Sequence, residues 1–109
     1  MLVHKDRSVL LVIDLQQRLA PAIYQMDQVL SSACWLLDIA RELQIPILTT
    51  EQYPQGLGHT VPEVAKRLPA NTVLEKIHFS GWREPMVQQT LRQLNKQQIV
   101  LVGTEAHVC

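Results

Sequence analysis

Four places in this chain carry side chains that could do chemistry, and each stands at the end of an apolar run. Asp14 follows SVLLVI, Glu51 follows PILTT, Lys76 follows TVLE, and the segment Gly103-Thr104-Glu105-Ala106-His107-Val108-Cys109 follows QIVLV. A thiol becomes a nucleophile when a carboxylate accepts its proton and a cation offsets the resulting negative charge. Taken singly, Asp14 is equally a turn cap, Lys76 a solvated strand end and Cys109 a buried filler. Taken together, Asp14, Lys76 and Cys109 are the set that thiol activation requires.

That set works only if the elements before each residue bring them to one edge. Residues 8–13 form a nearly unbroken β-branched and leucine run, the pattern of a strand buried on both faces of a parallel sheet. Asp27 is a candidate cap for a helix in which Val29, Ala33, Leu36, Ala40 and Leu43 recur at three- and four-residue spacing. Trp35 is assigned to the packing of that helix. Pro46–Thr50 reads as a second strand, and the Gly- and Pro-containing EQYPQGLGHTVP as a long loop suited to a pocket wall. Residues 62–68 predict a short helix with Pro62 in its first turn, and Thr72–Glu75 a third strand. Pro85 opens a helix with Val87, Leu91 and Leu94 on one face, and residues 98–102 make a fourth strand.

The order β-α-β-α-β-α-β calls for right-handed crossovers and a doubly wound parallel sheet with helices on both faces, a Rossmann-like three-layer α/β/α architecture. In such sheets the ligand crevice lies beyond the carboxyl ends of the strands, where Asp14, Glu51, Lys76 and the Gly103–Cys109 segment all fall.

Composition bounds the partners. The chain has 109 residues, 47% of them apolar, enough for one domain over residues 1–109 with a packed core. Ten basic and ten acidic side chains, spread without runs, give no electrostatic reason to expect nucleic acid or an anionic membrane, so a small molecule or another protein is the expected partner. Asp14 soon after the first apolar run argues against a signal peptide, and a cytoplasmic location is expected. Cys34 and Cys109 lack zinc-like spacing, and Cys34, inside the first helix, reads as a reduced, buried thiol.

Asp14 closing VLLVID, Lys76 in LEKIHFSGW and Cys109 in VGTEAHVC, in that order, resemble the isochorismatase-like cysteine hydrolases, the superfamily of nicotinamidase and N-carbamoylsarcosine amidohydrolase. The resemblance runs through the whole chain. It implies a parallel sheet with helices on both faces and hydrolysis of a C–N bond in a small amide or carbamoyl compound. Cys109 would be the nucleophile, Asp14 the general base and Lys76 the cation beside both. The resemblance further implies a cis peptide between Thr104 and Glu105, and an oxyanion hole from the backbone N–H groups of Glu105 and Cys109.

Other features refine that expectation. Metal-binding nicotinamidases carry an Asp-x-His pair after the second strand, where this chain has Glu51-Gln52-Tyr53, so neither a metal nor another cofactor is expected. His4, His59, His78 and His107 lack ligand spacing and read as surface or packing residues, with His107 able to touch the pocket. Tyr53, Phe79 and Trp82 are candidates to stack on a flat substrate, or else to pack loops or a subunit interface. Glu51 is either a substrate contact or a helix or turn cap. In the resembled family the cysteine opens a helix and further strands follow, so the chain is expected to be the amino-terminal part of a longer domain, its fold incomplete after strand four. Members of the family commonly form homo-oligomers, which is the expectation here too. The alternatives are a non-catalytic binding member of the fold and a receiver-like signalling module. The receiver is disfavoured because Leu15 follows Asp14 and Lys76 stands where its phosphoacceptor would be.

Overall fold

The computed structural model describes residues 4–77 and 83–104. Strand β1 (Ser8–Ile13) is buried along its whole length. Helix α1 (Met26–Glu42) leads to β2 (Ile47–Gln52), and two single-turn helices, α2 (Pro54–Leu57) and α3 (Pro62–Ala65), lead to β3 (Val73–Lys76). Helix α4 (Pro85–Leu94) then precedes β4 (Gln98–Gly103). All strand pairings are parallel, in the order β3-β2-β1-β4.

The alternation of a strand's side chains explains both layers. On one face Leu10, Val12 and Ile47 pack against Ala33, Leu37 and Ala40 of α1 and Val64 of α3. On the other, Val9, Leu11, Ile13 and Leu48 pack against Val87 and Leu91 of α4. β1 is thus a central strand covered on both sides, which is why its sequence shows no apolar–polar alternation. The α/β architecture expected from the sequence is the one observed.

Strands succeed one another from β1 to β2 to β3 in one direction, and β4 then returns to the far side of β1. The topological switch lies between β1 and β4, and a ligand crevice is expected beyond their carboxyl ends. Gly103 makes their approach close. A Cβ built there would stand 2.2 Å from the Ile13 carbonyl oxygen, and φ at this residue is +153°. Only glycine fits that contact without displacing backbone.

Local details depart from the sequence-based expectations. Gln25, not Asp27, is the N-cap of α1, in a left-handed conformation and without a side-chain cap bond, while Asp27 sits in the first turn, where its charge favours the helix dipole. Trp35 is 64% exposed and does not join the packing face. Two residues of helix turn it about 200° from Ala33, whose face is the buried one. Cys34 is only partly buried, its thiol 3.7 Å from the Glu63 carbonyl oxygen. β2 and β3 run on to Gln52 and Lys76, so these residues close their strands instead of following them. Among the described residues no helix is long and apolar enough to cross a membrane.

Candidate active site

Asp14 ends β1 by entering the left-handed region, with φ 53°, a conformation that Asp tolerates better than most residues. The chain turns there, and the Gln16 N–H bonds back to the Asp14 carbonyl at 3.0 Å. The Asp14 carboxylate is buried. One oxygen accepts the Thr50 hydroxyl at 2.9 Å and the other lies 3.0 Å from the Lys76 ammonium. The Lys76 side chain is wholly inaccessible to solvent, so both charges of the pair are out of water.

A buried ion pair survives only when further hydrogen bonds satisfy its remaining polar capacity. Here Lys76 Nζ also donates to Gln52 Oε1 at 2.7 Å, and the hydroxyl of Thr50 serves the carboxylate. Thr104, just past β4, donates its hydroxyl to the Asp14 carbonyl at 3.3 Å and its N–H to the Ile13 carbonyl at 3.3 Å. The residues that end β1, β3 and β4 therefore meet at one edge.

Glu51 is not left free for a substrate. Buried in the β2 end, it accepts the Thr60 N–H and the Thr60 hydroxyl, each at 2.7 Å, and pairs with His59 Nδ1 at 3.0 Å. Burial pushes its carboxyl up, but the Thr60 bonds and His59 outweigh burial and hold it below the ordinary carboxylate value. This fastens the loop after β2 to the sheet, in keeping with the turn-cap reading. His59 is itself 74% exposed at the side chain, a surface residue. Among the described residues, no cluster of three or more His, Cys, Asp or Glu side chains is disposed to hold a metal ion.

Tyr53 follows β2 with φ 39°, and its N–H donates to the Lys76 carbonyl at 2.9 Å. Its ring lies against Gly56 of the next turn, so closely that a Cβ on Gly56 would come within 2.3 Å of Tyr53 Cε2. More than half of the residue remains exposed beside the Lys76 strand end. Phe79, Trp82, Glu105, Cys109, the Thr104–Glu105 peptide, His78 and His107 lie outside the described residues.

Sequence reasoning missed Thr50 and Gln52, which hydrogen-bond to the ion pair, and Gln16, which holds the Gln52 backbone. Gln16 is fully buried; its side-chain amide accepts the Gln52 N–H at 2.7 Å and donates to the carbonyls of Gln52 at 2.9 Å and Gly58 at 2.7 Å. A signal was present: β2 ends in the polar run TTEQ although it is a buried inner strand, and polar side chains in such a place need partners.

The Isochorismatase domain family model matches residues 8–109. Isochorismatase domain-containing protein 2 of Danio rerio is 45% identical over 104 residues, covering 94% of this chain and 51% of that protein. The Homo sapiens protein of the same name is 39% identical over 103 residues, covering 94% and 48%. A solved structure described as MAR1 ribonuclease from Caenorhabditis elegans is 42% identical with a TM-score of 0.88, covering 98% of this chain and 55% of its own. The YcaC gene product of Escherichia coli, described as an octameric hydrolase of unknown specificity, has a TM-score of 0.86 over 94% of this chain and 52% of its own. At 20% identity that last likeness is one of fold. The chain spans about half the length of the curated relatives it matches.

Proposed function

The chain belongs to the isochorismatase family, and from that premise we propose that it is a cysteine-dependent hydrolase of a small amide or carbamoyl compound. The observation that carries the proposal is the buried Asp14–Lys76 pair, 3.0 Å apart at the carboxyl edge of the sheet, with Thr104 of the Cys109 segment bonded to Asp14. A carboxylate and an ammonium kept from water are preorganised to handle a proton and a developing negative charge.

In the proposed reaction Asp14 takes the Cys109 thiol proton and the thiolate attacks the amide carbonyl carbon. The tetrahedral oxyanion is held by the backbone N–H groups of Glu105 and Cys109, across a kinked Thr104–Glu105 peptide. Collapse breaks the C–N bond, and the proton on Asp14 leaves with ammonia or an amine. A water molecule, deprotonated by Asp14, then attacks the thioester, releasing the acid and returning the proton to Cys109. Lys76 offsets negative charge on Asp14 and the thiolate throughout. Tyr53, Phe79 and Trp82 are proposed to flank a flat substrate. A cytoplasmic location is part of the proposal, since a reducing compartment protects a thiol nucleophile from disulfide formation. Self-association is part of the same proposal, in line with the octamer named for the E. coli fold neighbour, and light scattering measures it.

A second reading follows from the name of the C. elegans relative: hydrolysis of RNA. Against it stands the engagement of Lys76, whose ammonium is buried against Asp14 and Gln52 and is not presented to a phosphate. The test is a panel of small primary amides, carbamoyl compounds and a single-stranded RNA, with wild type and Cys109→Ala. Amide turnover that disappears in the variant supports the proposal. RNA cleavage with no amide turnover favours the second reading, and amide turnover surviving in Cys109→Ala refutes the assigned nucleophile. No turnover of any substrate, with Cys109 no more reactive than Cys34 toward iodoacetamide, favours a binding role.

A further inference from the structure

Both ends of the Gln52 side chain are engaged, and their partners fix its orientation. An ammonium can only donate, so the amide oxygen must face Lys76 Nζ, at 2.7 Å. A carbonyl can only accept, so the amide nitrogen must face the Ile77 oxygen, at 3.0 Å. The backbone of Gln52 is gripped in turn by Gln16, whose amide exchanges two hydrogen bonds with the Gln52 N–H and carbonyl as a neighbouring strand would. Gln16 stands two residues after Asp14 and is bonded to its carbonyl. Asp14, Lys76, Gln52 and Gln16 thus form a closed circuit across β1, β2 and β3.

We propose that Gln52 is a positioning residue for Lys76, with Gln16 fixing the Gln52 backbone in that role. The proposal rests on the reading of Lys76 as part of a hydrolytic site. A lysine ends a flexible four-carbon stem, and a carboxylate holds the charge of its ammonium more firmly than its direction. A second acceptor in a fixed place sets that direction. Gln52 and Lys76 are paired in register, so they share a face of the sheet, and a neutral amide there accepts from the ammonium without competing with Asp14 for its charge.

Two substitutions separate positioning from packing. Gln52→Met matches the original in size but has no acceptor, whereas Gln52→Glu keeps an oxygen where the ammonium needs one. If Gln52 only fills space, both substitutions are tolerated; if it positions Lys76, Glu is tolerated and Met is not. Two readouts are taken on the folded protein: the pH profile of Cys109 alkylation by iodoacetamide, and the 1H–15N signal of the buried Lys76 ammonium. We expect Gln52→Met to slow alkylation tenfold or more near neutral pH and to lose the ammonium signal, and Gln52→Glu to retain that signal. Wild-type values of both readouts in Gln52→Met would overturn the proposal. If wild-type Cys109 reacts no faster than Cys34, the hydrolase reading fails, and the ammonium signal in Gln52→Met alone decides positioning: lost supports it, retained overturns it. If Gln52→Met does not fold, Gln52→Glu decides, a lost ammonium signal counting against the proposal.

Discussion

Asp14 Oδ2 lies 3.0 Å from Lys76 Nζ although a whole strand, β2, stands between β1 and β3. Two strand spacings amount to about 10 Å, a gap that needs the length of a lysine. The short hydroxyl of Thr50, on the intervening strand, donates to the same carboxylate at 2.9 Å.

Because both charges are buried, removing one strands the other. We expect Lys76→Met to destabilise the fold by about 3 to 5 kcal/mol. The double variant Asp14→Leu/Lys76→Met should lose less than Lys76→Met alone, since no unpaired charge remains. Urea unfolding of the singles and the double measures this coupling, and strictly additive losses would argue against a buried ionic pair.

Gly103 has no room for a side chain against the Ile13 carbonyl. Gly103→Ala should destabilise the fold by about 2 kcal/mol or more, by pushing β4 off β1 in a strained conformation. A fall in melting temperature on the order of 10 °C is expected, together with faster exchange of the Thr104 amide hydrogen, which bonds to Ile13.

Glu51 gives the loop clamp a defined acid limit. Its carboxyl is held below the ordinary value of 4.5, so the clamp's contribution to stability is complete above that value and is lost as pH falls through the lower folded-state value. Glu51→Gln should therefore be less stable than wild type at pH 7, with the gap closing below about pH 4.5. Denaturant midpoints taken from pH 7 to pH 3 test this; a constant gap would mean that ionisation of Glu51 is not what fastens the loop.

Gln16→Leu keeps the volume at a fully buried site but leaves the Gln52 N–H and the Gln52 and Gly58 carbonyls without their partner. A loss of about 2 kcal/mol or more is expected. Hydrogen exchange at the Gln52 amide should accelerate well beyond the average for β2, and an unchanged rate would show that this bond is dispensable.

The sequence alone determined the layers and the edge. A run such as SVLLVI has no polar face to show to water, so it had to be an inner strand, and the alternation of such runs with helical spacing left a parallel sheet covered on both sides. That put Asp14, Lys76 and Thr104 at or just past the strand ends of one edge before any distance was known, though not the residue at which each strand stops. Local pattern did not determine the strand order, because crossover length permits β3 to lie beside β1 or beyond β2 equally well. It could not say that Lys76 must cross β2, nor that Gln52 and Thr50 would lie in its path. The places of Trp35 and Glu51 were hidden for the same reason. An aromatic residue inside a helix and an acid at a strand end acquire their environments from what packs against them, which for Glu51 is Thr60 and for the outer face of α1 at Trp35 is largely solvent. Periodicity specifies which way a side chain points relative to its own backbone, and only tertiary packing decides what it meets there.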